Sequence, residues 1–471
     1  MNQINFLSAV VMAEQIRKKE ISPVELIEAH LAQIERVNPI VNAFVQVDAD
    51  GARRAAHHAE TAALQGKTLG PLHGVPISIK SSLQVAGMRC ESGTRLRAGC
   101  QPTQDAALVA RLRVAGAIVL GVTNTPELLM AWETDNLLYG RTNNPWDLER
   151  TAGGSSGGEA AAIAAGMSAG GVGSDGGGSI RVPAHFTGIC GLKPTPGRIP
   201  TTGHFPVSAG PFASIGVVGP MSRTVADLRI LFEVMQGPDV GDTCAAPVQL
   251  CWPNEEQTRS LRIGYFEDDG RTSVTAETRA AIRSAAEKLR SAGFQVEQFR
   301  PEGLEEARQL WRKYFVVCGG MVLRSMFKGR EADLSPLLAE FLDWSALEQE
   351  LTAETLLDAW IQRDMLRARF LLQMQQYPIL LCPAAAIPAF RHGERSWQVE
   401  NKTVHYLDAW SYTEFFNLLG NPAAVVPVGV SAEGLPIGVQ IVGRPWEEEQ
   451  VLSVASELEA MCSDWKIPPV A

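Results

Sequence analysis

Apolar residues near the N-terminus follow one helical and two strand patterns. After Ser22-Pro23, an N-cap followed by a first-turn proline, residues 26–34 carry a mostly apolar stripe at helical spacing. The short apolar runs Val75–Ile79 and Ile118–Val122 predict buried strands, and residues 105–117 between them predict a helix. Together these patterns predict a strand–helix–strand unit of a buried sheet.

Residues 151–178 have a different pattern, because 11 of these 28 positions are glycine. An Ala-rich helical pattern, Glu159–Ala169, lies inside the stretch, so it is not a flexible linker. Glycine at this density indicates backbone that approaches a ligand, or elements that pack very closely.

Charged helical patterns predominate from about residue 240 to 405, as in Thr275–Ala292 and Leu347–Gln376. Strand patterns return at Ala423–Val430 and Pro436–Val442, and Glu447–Met461 predicts a closing helix. We therefore interpret residues 240–405, the middle segment, as an addition to a core that is formed by the N-terminal and C-terminal parts of the chain.

The composition narrows the function classes. The 471 residues are 45% hydrophobic and 20% charged, which fits a globular protein and excludes a disordered or fibrous one. A net charge of −10 without a basic run predicts neither nucleic acid nor an anionic membrane as partner.

The targeting and redox signals predict a cytoplasmic protein. The N-terminal residues have no secretory pattern. The longest apolar stretch, Phe415–Ala432, is interrupted by Asn and Pro and predicts a loop and a buried strand instead of a membrane span. Eight scattered Cys without a C-x-x-C pair predict reduced thiols.

Two short motifs in the Gly-rich stretch suggest functions that their surroundings do not support well. Gly171–Gly176 matches G-x-G-x-x-G, but Pro183 disfavours a helix after it, and no acidic residue follows before Asp227. Gly154–Gly158 matches G-x-S-x-G, which would make Ser156 the nucleophile of an α/β-hydrolase-type esterase. That alternative needs a later His, and neither His392 nor His405 has an obvious strand-end position.

A larger set of segments carries a more specific resemblance. It comprises GVPISIK (74–80), TNTPE (123–127), YGRTNNPW (139–146), GGSSGG (153–158), GSDGGGSIR (173–181), GICGLKP (188–194) and GLPIGVQ (434–440). This combination resembles the amidase signature family of Ser-Ser-Lys amidohydrolases, in a stand-alone bacterial-type form. The separation of Lys80 from Ser155 and of Ser155 from Ser179 also resembles the family pattern.

The resemblance implies an α/β/α sandwich with a mixed central sheet of roughly ten strands. It also implies a single amidase domain over 1–471. The signature core would span about 65–235, a variable cap-like elaboration about 240–405, and residues 410–465 would complete the core.

Amide hydrolysis needs a nucleophile, a base and oxyanion donors. His185 is close to Ser179 in sequence but has no obvious acidic partner, so a neutral Lys is the candidate base. Its ordinary pKa of about 10.4 must fall for that role, and burial shifts it in this direction. The local sequence alone favours a strand-end Lys80 that reaches solvent; the paired serines at the family's spacing favour the base instead.

The resemblance assigns the remaining roles residue by residue. Ser179 becomes acylated, Ser155 relays its proton to Lys80, and the peptide bond between Gly154 and Ser155 is cis. The N–H groups of Gly176, Gly177, Gly178 and Ser179 form the oxyanion hole. Supporting roles go to Ser156 by hydrogen bonding and to Asp175 and Arg181 as a buried pair or backbone clamps. No metal and no cofactor is expected. One departure is Ser81, where relatives commonly have Asp.

We expect Leu129, Met130 and Trp132 to line the acyl pocket, with a structural core role as the alternative. The segment 300–345 is rich in large apolar residues, which predicts a cap and apolar or aryl substrates. The predicted function is hydrolysis of such carboxamides through an acyl-enzyme, with side activity on esters, anilides and small carbamates (urethanes). The alternative within the family is a glutamine-hydrolysing amidotransferase subunit. Small-molecule amide, ester or carbamate substrates are the expected partners, and a homodimer is one option.

Overall fold

The computed structural model describes residues 4–349, 351–462 and 466–471. Its strands are β1 (Phe44–Val47), β2 (Pro76–Lys80), β3 (Ile118–Thr123), β4 (Asn143–Asn144), β5 (Asp147–Thr151), β6 (Gly170–Asp175), β7 (Cys190–Lys193), β8 (Val217–Ser222), β9 (Arg262–Tyr265), β10 (Gln295–Gln298), β11 (Ile379–Pro383), β12 (Ser396–Val399), β13 (Lys402–His405), β14 (Ala423–Val430) and β15 (Pro436–Val442).

The helices are α1 (Ala9–Arg17), α2 (Pro23–Val41), α3 (Ala49–Leu64), α4 (Ala107–Val114), α5 (Gly157–Ala164), α6 (Arg181–Thr187), α7 (Val225–Met235), α8 (Glu255–Arg259), α9 (Ala276–Ser291), α10 (Leu304–Trp311), α11 (Cys318–Met326), α12 (Pro336–Leu347), α13 (Ala353–Gln373), α14 (Ser411–Leu418) and α15 (Glu448–Ala460). A π-helical turn, Arg312–Val317, connects α10 to α11.

Among the described residues, eleven strands form one sheet in the order β1-β3-β2-β6-β8-β7-β14-β15-β11-β9-β10. The sheet is mixed: β2 runs parallel to β3 and β6, and β9 runs parallel to β10 and β11, whereas the other pairs are antiparallel. The predicted fold class, an α/β/α sandwich around a mixed sheet of roughly ten strands, is confirmed.

The two faces of the sheet carry separate cores because strand side chains alternate. In β2, Ile77 and Ile79 belong to the core beneath α1, α4, α7, α9 and α15. Leu120 of β3 faces the other way, into the core with α2, α3 and α5. By the same alternation Ser78 and Lys80 point away from Ile77 and Ile79, which places Lys80 on the face that carries α5.

The segment 240–405 contributes to two parts of the molecule. Its strands β9, β10 and β11 extend the main sheet at one edge. Its helices α10–α13 pack in an aromatic core together with α14. This aromatic core lies directly against the Gly-rich loop that follows β6, because Trp311 of α10 contacts it.

Most sequence-predicted elements are present with small shifts of their ends. The strands Ala423–Val430 and Pro436–Val442 match β14 and β15. The helix expected over Leu347–Gln376 is α13, which begins only at Ala353, while Leu347 ends α12. Residue 350 of that expected helix, and 463–465 of the expected core segment 410–465, lie outside the described residues.

Two local expectations were wrong. Phe415 does not begin a loop, because Ser411–Leu418 forms the buried helix α14 ahead of the expected strand. Pro183 does not prevent a helix after the Gly-rich motif, because it sits in the first turn of α6. A proline there loses no intrahelical hydrogen bond, since first-turn N–H groups have no helical acceptor.

Candidate active site

Lys80 is the last residue of β2 and is completely buried. Its Nζ lies 2.6 Å from Ser155 Oγ, 2.9 Å from Ser156 Oγ and 3.0 Å from Ser174 Oγ. Burial lowers the pKa of Lys80 well below its ordinary value, and the carboxylates of Asp175 and Glu159 only partly oppose this shift. The side chain does not reach solvent, so the strand-end alternative for Lys80 was wrong.

The loop between β5 and α5 carries Ser155 and Ser156. The peptide bond between Gly154 and Ser155 is cis, as expected. Gly154 is required because a side chain there would collide with the carbonyl oxygens of Ala131 and Glu133. The Ser156 N–H donates to Ser179 O over 3.1 Å, which connects this loop to the Gly-rich loop after β6.

Ser174 and Glu159 also border this cluster, although the sequence analysis did not single them out as site residues. The Ser174 N–H donates to Ser156 Oγ over 3.3 Å, in addition to the contact with Lys80. Glu159 is completely buried on α5, accepts hydrogen bonds from the Ser78 and Thr123 hydroxyls, and has its pKa raised to about 7 by burial. Two signals in the sequence could have identified them. Ser174 belongs to the G-S-D motif, and Glu159 is an acidic residue within an Ala-rich helical pattern.

A buried ion pair holds the Gly-rich loop, residues 176–178. Arg181 Nη2 lies 2.9 Å from Asp175 Oδ1, and both side chains are completely buried. Asp175 also accepts from the N–H groups of Gly178 and Ile180, at 2.7 and 3.0 Å. Burial alone would raise the pKa of Asp175, but Arg181 outweighs it and holds the pKa below its usual range. The expected clamp is therefore present.

The geometry changes the expected set of oxyanion donors. The Gly178 N–H points to Asp175 Oδ1, so it is already engaged within the loop. Within the described part of the chain, the N–H groups of Gly176, Gly177 and Ser179 donate to no hydrogen-bond acceptor. Gly178 adopts a φ of +112°, a conformation that glycine tolerates and other residues avoid.

Two indole groups hold the carbonyls of the same loop. Trp311 Nε1 donates to Gly176 O over 2.9 Å, and Trp132 Nε1 donates to Gly177 O over 2.8 Å. Side chains added at Gly176 and Gly177 would collide with Phe315 and Trp311, respectively. These two positions are glycine because of close packing rather than because of a positive φ.

Ser179 borders two neighbouring cavities. The larger one, about 130 Å³, also contains Ser155 and Ser174 on its wall and is otherwise mostly apolar, with Ile215, Phe315 and Met326 among its lining residues. The smaller cavity lies between Trp132, Phe315 and Phe341. Leu129 and Met130 line both cavities, whereas Trp132 lines only the smaller one.

Charged and ionisable groups are nearly absent from the wall of the larger cavity. Among its described lining residues, Asp175 is paired with Arg181, and burial lowers the pKa of His204 to about 4, so the imidazole is neutral. The expected cap segment, 300–345, forms part of this cavity wall, since Phe315 and Met326 line the cavity. Met321 of the same segment faces solvent instead.

The structure gives no support to the alternative with Ser156 as nucleophile. The Ser156 side chain is completely buried and does not line either cavity. His185 lies elsewhere, with its Nδ1 accepting from the Gly438 N–H, and burial lowers its pKa to about 4.

The described ranges 4–349, 351–462 and 466–471 offer no candidate metal site. Within them there is no group of three or more His, Cys, Asp or Glu side chains that could hold a metal ion. Within the same ranges, no helix is both long and apolar enough to cross a membrane.

Comparisons with known proteins identify the family. Residues 25–452 match the Amidase family. The chain is 34% identical to an acylamidase of Rhodococcus erythropolis, over 97% of this chain and 96% of that protein. It is 33% identical to a subunit of the glutamyl-tRNA(Gln) amidotransferase of Chloroflexus aurantiacus, over 99% of this chain and 98% of that protein.

A solved structure of a bacterial aryl acylamidase of the amidase signature family superimposes with a TM-score of 0.85. The two chains are 28% identical, over 97% of this chain and 96% of the other. The protein therefore belongs to the amidase signature family, and it is an amide-hydrolysing enzyme of that family.

Proposed function

We propose that this enzyme hydrolyses carboxamides with apolar or aryl acyl groups through an acyl-enzyme on Ser179. The observation that carries the proposal is a buried lysine in contact with Ser155, beside an apolar cavity that Ser155 and Ser179 both line. No cofactor is needed, because the protein groups supply the nucleophile, the base and the oxyanion donors.

The three contacts of Lys80 suit a neutral amine. Such an amine has two N–H donors and one lone pair. Ser156 Oγ and Ser174 Oγ can accept the two N–H groups, which directs the lone pair toward the Ser155 hydroxyl. Lys80 then takes a proton from Ser155 as Ser155 takes one from Ser179, and Ser179 Oγ attacks the carbonyl carbon.

The subsequent steps use the same groups. The N–H groups of Gly176, Gly177 and Ser179 would donate to the oxyanion, which stabilises the transition state more than the ground state. Ser155 returns a proton to the departing amine as the C–N bond breaks. Water attacks the acyl-Ser179 ester while Ser155 and Lys80 accept its proton. The bond between the acyl carbon and Ser179 Oγ then breaks, the relay returns the proton to Ser179 Oγ, and the carboxylic acid leaves.

The larger cavity supports an apolar acyl group. Its described wall has no unpaired charge to bind the ammonium or carboxylate of glutamine. This favours the acylamidase function over the amidotransferase function, despite similar identity to relatives of both kinds. The smaller cavity, about 10 Å³ and lined by Phe315 and Phe341, has room for a small leaving group such as the ammonia of a primary amide.

Side activity on activated esters, anilides and small carbamates follows from the same chemistry. The oxyanion donors contact the carbonyl oxygen and not the leaving atom, so esters present the same reacting group. A carbamate carbonyl is less electrophilic, because resonance from both neighbours deactivates it. It therefore depends on the cavity to hold its apolar group and align the carbonyl with Ser179.

A fluorophosphonate probe tests the nucleophile. The parent enzyme should be labelled at Ser179, and Ser179→Ala should lose both labelling and turnover. Lys80→Ala and Ser155→Ala should each lose most turnover, without additive effects, because the three residues act as one relay. The exposed Ser284 of α9 offers a matched control, since Ser284→Ala should keep full labelling. Labelling at Ser156 instead would contradict the proposal.

A substrate panel tests the substrate class. We expect kcat/KM for aryl and medium-chain alkyl amides to exceed that for glutamine by at least about a hundredfold, since burying an unpaired charge is expensive. Preference for glutamine would refute the substrate class while leaving the labelling result valid.

A further inference from the structure

Helix α13 has two apolar faces. One face, which includes Ala359, Leu366 and Phe370, is buried in the aromatic core. The outer stripe of α13 consists of residues that remain exposed: Leu357 (64%), Ile361 (52%), Met365 (59%), Ala368 and Leu372 (63%). At about 100° per residue, this outer stripe lies directly opposite the buried face.

No described residue covers the outer stripe, and its length argues against chance. A surface helix ordinarily presents polar residues to water on the side opposite its core-facing stripe. Here five apolar positions instead continue over more than four turns of a 21-residue helix. A contiguous exposed apolar surface of this kind is typical of an interaction site.

The charges beside the stripe are self-complementary. The N-terminal half of α13 carries the acidic Glu354 and Asp358, and the C-terminal half carries the basic Arg367 and Arg369. Asp358 and Arg369 lie on the same flank of the stripe, from the helical periodicity. Two-fold antiparallel packing brings equal flanks of two copies together, so Asp358 of each copy would face Arg369 of the other.

The remaining charges on the helix do not oppose this arrangement. Arg363 and Asp364, near the middle, pair with each other at 3.2 Å. Arg369 also forms an ion pair with Glu306 of the same chain. Because both side chains are exposed, this pair contributes little free energy, so Arg369 can contact a second carboxylate at little cost. The balanced charge also disfavours a membrane as occupant, because interfacial helices that bind anionic lipid have a Lys/Arg-rich polar face.

We propose that the outer stripe of α13 is the interface of a homodimer in which two α13 helices pack antiparallel. The helix is about 32 Å long at 1.5 Å per residue. A typical specific interface buries about 800 Å² per partner, more than one helix face supplies. The groove beside the C-terminal half, lined by Leu371, Pro445 and Trp446, adds surface that Leu357 of the second copy would reach.

Sedimentation velocity over a range of protein concentrations tests this proposal. The parent protein should sediment as a dimer. Ile361→Glu should sediment as a monomer under the same conditions, because it places two like charges near the two-fold axis. Val114→Glu is the matched control, since Val114 is an exposed apolar residue at the end of another helix and should leave the dimer intact. A monomeric parent, or a dimeric Ile361→Glu variant, would overturn the proposal.

A charge exchange tests the antiparallel arrangement. Asp358→Arg should raise the dissociation constant, and combining it with Arg369→Glu should restore most of the affinity. A double variant weaker than either single variant would refute this pairing.

Binding to phosphatidylcholine–phosphatidylglycerol vesicles, measured by co-sedimentation, tests the competing occupant. We expect none. Vesicle binding that Ile361→Glu abolishes would assign the outer stripe to a membrane and overturn the dimer. Retained hydrolysis of an aryl amide by Ile361→Glu would show that the variant is folded, since α13 lies outside the cavity wall.

Discussion

At the residue scale, Lys80 links burial to reactivity. A lysine in water is protonated at neutral pH and cannot accept a proton. Complete burial among three hydroxyl groups favours the neutral amine, which lowers the pKa of Lys80 and suits it to the proposed role of base. Hydroxyl partners suit this role because they hydrogen-bond the amine without adding the negative charge that would favour its protonated form.

The pH dependence of kcat/KM follows from this shift. Since only neutral Lys80 accepts a proton, kcat/KM should rise about tenfold per pH unit in acid and level off below the ordinary pKa of lysine. Because burial raises the pKa of Glu159 to about 7, its carboxylate is charged and raises the pKa of Lys80 only from about neutral pH upward; Glu159→Gln should therefore move any part of the rising limb above pH 7 to lower pH. A rate independent of pH from acid upward, measured on an aryl amide, would exclude Lys80 as the base.

Ser174 should matter for turnover although it is not in the relay. Its hydroxyl accepts one of the two Lys80 N–H groups and so helps to aim the lone pair at Ser155. Loss of one such hydrogen bond costs about 1 kcal/mol, so we expect Ser174→Ala to lower kcat roughly fivefold. KM should stay close to the parent value, and Ser284→Ala serves as the control. An unchanged kcat would show that Ser156 alone orients Lys80.

At the element scale, the Gly-rich loop is held from three sides. Asp175 and Arg181 hold it from within, the loop of Ser156 contacts Ser179, and two indoles from distant segments hold the carbonyls of Gly176 and Gly177. Fixing the Gly176 carbonyl also fixes the peptide plane that carries the Gly177 N–H, a proposed oxyanion donor. Fixing the Gly177 carbonyl fixes the plane that carries the Gly178 N–H, which donates to Asp175 and so anchors the loop.

Removing an indole donor should weaken catalysis uniformly. We expect Trp311→Phe and Trp132→Phe each to lower kcat about tenfold on every substrate, because Trp311 directs the Gly177 N–H, Trp132 directs the Gly178 N–H that anchors the loop to Asp175, and a displaced oxyanion donor acts on the carbonyl oxygen alone. Trp397→Phe is a matched control, since its indole donates to Glu394 instead. Steady-state rates on a series of acyl chain lengths measure this. If Trp132→Phe changed mainly the ranking of acyl chains, Trp132 would act as a pocket residue, as first expected.

At the scale of the whole molecule, the main sheet carries the proposed base and one of its hydroxyl partners, and the middle segment contributes part of the cavity wall. Lys80 and Ser174 lie on β2 and β6, neighbouring strands of the sheet. Phe315 and Met326 come from the helical segment between β10 and β11. In the proposed mechanism, the base and part of the substrate-contacting surface thus come from different parts of the fold.

Phe315 lines both cavities, so its removal should change selectivity. Phe315→Ala should enlarge both cavities beside Ser179, and we expect kcat/KM for bulky aryl or branched acyl groups to rise at least about threefold relative to acetyl amides. Kinetics on matched acyl series measure the ratio. Phe299→Ala, whose ring packs on Tyr377 far from Ser179, should leave the ratio unchanged.

The sequence alone determined the sheet class and the residues of the proposed relay. Strand and helix periodicity reflects local burial, which is why β14 and β15 were predicted to the residue. The resemblance to the amidase signature family, carried by the motifs around Lys80, Ser155 and Ser179, indicated these residues before the fold was known.

Only the tertiary structure decided which groups complete the site. Trp311 lies 135 residues from the Gly176 carbonyl that it holds, and no local pattern marks such a contact. The Gly178 N–H is engaged by Asp175 because of how the loop turns, which spacing does not specify. Helix α14 forms despite its flanking Asn and Pro residues because its side chains are buried on all sides. Each of these three features depends on packing between residues far apart in the sequence, which the local hydrophobic periodicity does not reveal.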